Sequence, residues 1–157
     1  LIASDVPVTL IDSDIEMIDV AQSFGAKVYF GDGTRLDLLR QAGAAEAELI
    51  LFCIDGDQLT AEFLEAVHEA FPNATLYVRA FDRRAVVRLK SSPARRIVRE
   101  VLESAVKMAR IALADAGVSE EAINRAEDMF RARDRERLQH VGDVRGLDEH
   151  LHIGVSD

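Results

Sequence analysis

Apolar positions along the chain follow two rhythms. Short runs rich in Val, Ile, Leu and aromatics recur at VPVTLID (6–12), AKVYF (26–30), ELILFCI (48–54) and ATLYVRAF (74–81), and they read as β-strands. Between them, 14–24, 35–42 and 57–71 carry helical spacing. The nearly unbroken apolar stretch 49–54 is what a strand covered on both faces requires, which points to a parallel sheet. Cys53 lies in that stretch and reads as a buried strand residue rather than a nucleophile. Ser13-x-x-Glu16 has the spacing of a capping box, and Phe71-Pro72-Asn73 ends the third helix. Strand–helix alternation of this kind gives right-handed βαβ crossovers and an α/β layer fold.

After Phe81 the pattern changes. Residues 82–90 predict one more helix, and Pro93 punctuates. A longer helix is then expected, with Ile97, Val101, Leu102, Ala105, Met108, Ala109, Ala112, Leu113 and Ala116 on one stripe. Gly117 is placed to stop it and Ser119 to cap a last helix. That helix keeps an apolar face through Phe130 and then becomes RARDRER, charged all round, as a solvated or partner-facing helix would be. From about Gly142 no periodicity remains, and a disordered tail is expected. The organisation predicted is a Rossmann-like doubly wound parallel sheet over 1–90, a helical dimerisation and ligand-sensing extension over 91–141, and a tail over 142–157.

At 157 residues the chain suits one cored domain, and its 48% hydrophobic content is that of a globular protein. Apolar runs are too short to span a membrane, and the single cysteine rules out an internal disulfide. The net charge of −9 argues against a nucleic-acid partner held by phosphate neutralisation. The charge is unevenly placed. Lys27, Arg35 and Arg40 are the basic residues before Arg79, whereas Arg79, Arg83, Arg84, Arg88, Lys90, Arg95, Arg96 and Arg99 face Asp82 alone. Such a band is either a solvated face or a surface for an anionic ligand or acidic partner.

The chemistry gathers at the strand ends. Ligands of open α/β sheets bind at the carboxyl ends of strands, near the point where strand order reverses. Here those ends read Asp12-Ser13-Asp14, Gly31-Asp32-Gly33-Thr34 and Asp55-Gly56-Asp57, and the fourth strand carries Arg79 and runs into Asp82. Asp12 either accepts ribose hydroxyls or, with Asp14, only favours a helix N-terminus. Gly33 lets backbone approach a flat ring, with Asp32 and Thr34 as polar edges; the alternative is a tight turn in which Thr34 caps the next helix. Arg79 needs a carboxylate or a ligand as its partner. Asp12, Ser13, Asp14, Asp32, Gly33, Thr34, Asp55 and Arg79 are the candidate nucleotide-binding set. A catalytic base, nucleophile or metal cluster is not evident: His68 lies inside a helix and His140, His150 and His152 lie in the polar C-terminal region.

A dinucleotide fold starts with a strand and a G-x-G-x-x-G turn, yet neither precedes Asp12, and LIAS (1–4) reads as the last turn of a helix. In the strand order 3-2-1-4-5 the absent strand lies between 6–12 and 48–54. A strand and glycine loop upstream of Leu1 are therefore expected.

The pieces VTLIDSD, YFGDGTRLDLLRQAGA and LFCIDG, followed by HEAFPNATLYVRAFDR, resemble in order and spacing the regulatory nucleotide-binding domains of potassium transport systems, the RCK, KTN or TrkA-N domains. REVLESAVKMARIAL and RAEDMFRARD resemble more specifically the cytoplasmic domain of glutathione-regulated Kef potassium efflux systems. The resemblance implies an adenine nucleotide, AMP or NAD(H), with Asp12 on the ribose and Asp32, Gly33 and Thr34 around the adenine. It also implies a non-enzymatic homodimer that gates a membrane transporter domain from the cytoplasmic face, and glutathione as a second ligand at the dimer interface. Arg99 and Glu103 match interface ligand positions. The family's usual Asn falls at Asp134, and Phe81 replaces a family Arg; both depart from the pattern. The alternatives are an NAD(P)-dependent oxidoreductase of Rossmann type and a phospho-receiver domain, whose strand ends are also crowded with acids but which wants a lysine after its last strand, where this chain offers Asp82-Arg83.

Overall fold

A computed structural model describes residues 1–4, 6–56 and 58–148. Asp5, Asp57 and the segment 149–157 lie outside the described residues, and with them His150 and His152. After a 3-10 turn at Ile2–Ser4, the order is β1 (Thr9–Asp12), α1 (Ile15–Ser23), β2 (Lys27–Phe30), α2 (Leu36–Gln41), a 3-10 turn (Ala44–Glu46), β3 (Leu49–Phe52) and α3 (Ala61–Ala70). Then come β4 (Thr75–Ala80), α4 (Arg83–Leu89), β5 (Arg96–Arg99), α5 (Glu100–Asp115) and α6 (Glu120–Asp148). The chain divides into two compact units, Leu1–Arg79 with Arg88–Val98, and Ala80–Val87 with Arg99 onward.

In the first unit the alternating strands form two sheets. β1 and β2 pair in parallel, from Thr9 opposite Lys27 to Asp12 opposite Phe30. The other sheet has the order β3-β4-β5, with β3 and β4 parallel from Leu49 opposite Thr75 to Phe52 opposite Val78. Its core joins Leu64, Val67 and Phe71 of α3 and its C-terminus to Leu76 and Val78 of β4, all essentially sealed from solvent. Each such side chain contributes about 1.5–3 kcal/mol through burial. Phe52 extends the cluster by meeting Phe63 edge-on, ring centroids 5.5 Å apart. β4 buries Leu76, Val78 and Ala80, while Arg79 between them projects to the opposite face.

Several boundaries differ from expectation. Residues 96–99 form β5 instead of opening the long helix: Ile97 and Val98 suit a strand, and the Arg95 N–H donates to the Leu76 carbonyl at 2.9 Å. Ile97 therefore packs with the first unit's core and is not part of the helical stripe. α3 begins at Ala61 because Thr60 Oγ1 accepts the Phe63 N–H at 3.1 Å. Asp14, not Ser13, caps α1, its Oδ1 accepting the Glu16 N–H at 2.9 Å. α6 continues through Gly142 to Asp148, where the sequence predicts a disordered tail; an internal glycine costs a helix only about 1 kcal/mol. Cys53 is exposed, not buried. It continues the alternation Leu49, Leu51, Cys53, and that face of β3 is uncovered.

In the second unit, α5 stops as expected at Gly117, whose φ of +79° suits glycine at a helix end. Ser119 Oγ accepts the Ala122 N–H as α6 starts. α5 has no buried residue: Val101, Met108 and Leu113 of its apolar stripe are exposed, as are Ile111 beside it and Met129 and Phe130 of α6.

Candidate functional site

The polar rim of the first unit is built by local turns. Asp12 ends β1, and its Oδ1 accepts the Asp14 N–H at 2.9 Å. One strand over, the Gly31 N–H donates to the Asp12 carbonyl at 2.9 Å, so the chain leaves β2 beside Asp12. Gly31 adopts φ +150°, and a Cβ there would lie 2.6 Å from Leu38 Cδ2. The next residue, Asp32, folds its carboxylate back: Oδ1 accepts the Thr34 N–H at 2.8 Å and the Thr34 hydroxyl at 2.7 Å. These two bonds, with a smaller contribution from the Arg35 charge, hold the Asp32 carboxyl below the usual aspartate range. Thr34 thus does not cap α2, which starts after Arg35 without a side-chain cap bond.

Gly33 carries the rim to the next strand. A Cβ on Gly33 would touch Ile54 Cδ1 at 3.4 Å, so the turn after β2 lies against the residue that follows β3. Beyond it, Asp55 pairs with Arg79, and the Arg79 guanidinium also donates to the Cys53 carbonyl at 2.7 Å. Arg79 has the carboxylate partner expected of it. Asp12 and the Asp32–Thr34 turn therefore stand at the carboxyl ends of paired parallel strands, with Ile54 and the Asp55–Arg79 pair at the end of the next. Ser13 is exposed and Asp14 is spent on the helix cap. Asp82 is also a cap, its Oδ1 accepting the Ala85 N–H at 2.9 Å.

The second unit carries a different set. Arg99, buried at the end of β5, pairs with Asp134 of α6; their side chains are 10% and 18% exposed. One turn along, Arg131 grips Glu103 with two bonds of 2.7 and 2.8 Å and reaches Glu127 at 2.8 Å. Arg110 continues the ladder to Glu127 at 2.7 Å, to Asn124 at 2.8 Å and to Glu120. Arg131 holds Glu103 below the usual glutamate range, and Arg131 and Arg110 do the same to Glu127. The guanidiniums of Arg131 and Arg110 are raised in turn by these carboxylates. Arg99, Glu103 and Asp134 are thus brought together, each already matched by an internal counter-charge. Arg131 is the member sequence reasoning missed, although Glu127-x-x-x-Arg131 has the spacing of a helical ion pair. The cationic band disperses: Arg79 and Arg99 have carboxylates, and Arg83 donates to the Arg137 carbonyl at 2.5 Å. Among the described residues no cluster of His, Cys, Asp or Glu is arranged to hold a metal.

Comparison with known proteins gives this geometry a context. The family model of the TrkA-N domain matches residues 1–100. The glutathione-regulated potassium-efflux system protein KefC of Escherichia coli O139:H28 is 37% identical over 131 residues, which cover 83% of this chain and 21% of KefC. The chain thus spans about a fifth of the length of the curated relatives it matches. Among solved structures, the Kef CTD of Shewanella denitrificans in AMP-bound form superposes with a TM-score of 0.69 at 30% identity, covering 90% of this chain and 87% of that one. The TrkA-N domain of the Escherichia coli inner membrane protein ybaL superposes with a TM-score of 0.62 at 20% identity, covering 71% and 82%. The Rossmann-like sheet, its strand-end rim and these matches lead to one assignment: the chain belongs to the TrkA-N domain family.

Proposed function

We propose that this chain is the regulatory, ligand-sensing part of a potassium efflux system, binding an adenine nucleotide at the rim of its first unit. The observation that carries the reading is the placement of Asp12 beside the Asp32–Gly33–Thr34 turn at the ends of paired parallel strands. The local turn takes Asp12 Oδ1 and leaves Oδ2 as the acceptor for ribose hydroxyls. Gly33 offers backbone without a side chain beneath the adenine, and the Asp55–Arg79 pair borders the far side. The AMP-bound state of the Shewanella Kef CTD supports AMP as the first ligand to test.

No chemistry is assigned to the domain. Nucleotide would bind one arrangement of the protein better than another, and that differential affinity would bias an attached transporter at the cytoplasmic face of the membrane. The exposed stripes on α5 and α6 are proposed to be covered by a second copy in a homodimer. Glutathione, the regulator in the name of the KefC relatives, is the second ligand class. Any carboxylate it brought to Arg99 would have to displace Asp134.

Calorimetric titration with AMP, ATP, NAD, NADH and glutathione tests the reading, with Asp12→Asn as the comparison. Loss of a charged hydrogen-bond acceptor costs about 1.5–3 kcal/mol, so ribose-bearing ligands should weaken roughly tenfold to a hundredfold. Unchanged affinity would return Asp12 to a structural role, and steady turnover of NADH would favour the oxidoreductase alternative.

A further inference from the structure

The seam between α5 and α6 lies within the second unit, and charge dominates it. Among the described residues α6 buries Ile123, and α5 buries nothing. Three arginines supply the side-chain bonds that cross from one helix to the other. Arg110 of α5 reaches Glu127 at 2.7 Å and also meets Glu120, and Arg131 of α6 holds both oxygens of Glu103. Arg99, just before α5, meets Asp134.

These pairs differ in their access to water. Arg99 and Asp134 are sheltered, whereas Arg131 and Glu103 are 27% and 46% exposed, and Arg110 and Glu120 are 29% and 71% exposed. Salt screens charges in contact with water: the screening length falls from about 10 Å at 0.1 M to about 3 Å at 1 M, and buried pairs feel this much less. A single exposed pair is worth little, but the rungs here are linked, because Glu127 accepts from both Arg110 and Arg131. Each helix keeps its own backbone bonds when these side chains part, and α5 closes on its own C-terminal turn at Gly117.

We propose that the α5–α6 seam responds to ionic strength: rising salt loosens the rungs formed by Glu103 and Arg110 with Glu120, Glu127 and Arg131, while the sheltered Arg99–Asp134 pair stays closed. The stimulus is the concentration of dissolved ions, not a bound molecule. Its use as a signal rests on the reading of this chain as the regulatory part of a potassium efflux system, which changes the salt content of the compartment it serves. The loosening itself does not depend on that reading.

Hydrogen exchange of the ligand-free chain in KCl from 0.1 to 1 M tests this. The amides of α3, whose Leu64 and Val67 are buried in an apolar core, serve as the internal reference. Relative to them, amides over 103–110 and 124–131 should exchange roughly tenfold faster at 1 M, as three exposed pairs losing about half of their upper strength would give. Choline chloride should act as KCl does, and helical circular dichroism should stay constant. The triple variant Glu103→Gln, Glu127→Gln, Arg131→Gln keeps hydrogen-bonding side chains without the charges, and its response should shrink to about threefold or less. Arg125→Gln, whose partner Glu121 lies on the same helix, should respond as the wild type does. Acceleration below about twofold, acceleration in KCl but not in choline chloride, loss of helical signal, or a triple variant as salt-sensitive as the wild type overturns the proposal. Nucleotide is absent throughout, so a failed nucleotide titration and a failed salt response are separate results.

Discussion

Asp134→Ala isolates the pair that joins Arg99 to α6. The Arg99 side chain is 10% exposed, and Asp134 is its carboxylate. Removing one partner of a buried ion pair costs about 3–5 kcal/mol, because the remaining charge stays out of water uncompensated. Asp134 keeps 18% of its exposure, so some water can follow the substitution, and about 3 kcal/mol is expected. Asp134→Asn retains an oxygen that can accept from the guanidinium and should cost roughly half as much, about 1.5 kcal/mol. The double substitution Arg99→Met with Asp134→Leu removes both charges and fills the space, and such replacements of buried pairs are often neutral. Urea unfolding followed by helical circular dichroism measures all three, read as midpoints at constant slope. The ranking Ala worse than Asn, with the double variant near wild type, is the signature of an uncompensated guanidinium. Equal losses for Ala and for the double variant would refute it and show that lost packing, not the stranded charge, sets the cost.

The ladder beside that pair gives a pH dependence with a definite sign. Arg131 lowers the Glu103 carboxyl from its ordinary value of 4.5, and Arg131 with Arg110 lowers that of Glu127. Groups depressed in the folded state stabilise it above their unfolded pKa and lose that contribution as pH falls through the folded one. The urea midpoint should therefore hold from pH 7 down to about 5 and decline below the ordinary glutamate range, and Arg131→Met should flatten the decline. Gly31→Ala should destabilise by about 1–3 kcal/mol, because φ +150° is strained for a side chain and a Cβ would press on Leu38. A fall in thermal midpoint of several degrees checks it; an unchanged midpoint would mean the turn relaxes without cost.

Much of the first unit is legible because its information is local. Four apolar runs alternating with helical spacing identify a parallel α/β sheet, and β1 to β4 fall inside the runs read from the sequence. The rim residues follow from topology alone, since whatever ends a strand in such a sheet lies on the ligand-bearing edge. Boundaries decided by competition between partners are not legible. Ser13 and Asp14 can both cap α1, and geometry selects Asp14. Ile97 fits a helical stripe, yet the edge of β4 captures its segment as β5. Cys53 shows another kind of failure. An apolar run promises burial only if the covering element is present, and Leu49, Leu51 and Cys53 share the open face of β3.

The helical hairpin of the second unit combines a buried Ile123 with a run of ion pairs across α5 and α6. Two packed helices ordinarily turn apolar stripes toward each other and leave charges to solvent. Here Arg99, Glu103 and Arg110 face Asp134, Arg131, Glu127 and Glu120 across α5 and α6, while Met108 stands 73% exposed. Exposed ion pairs contribute little individually, whereas a network with bidentate geometry fixes the register of the elements it joins. The ladder therefore sets how α5 and α6 are presented more than how tightly they hold. A hairpin so registered leaves Met108, Met129 and Phe130 exposed. A ligand that rearranged the ladder would alter that surface without unfolding either helix. Arg131, with two carboxylates in its grip, is the residue whose loss should loosen the register most.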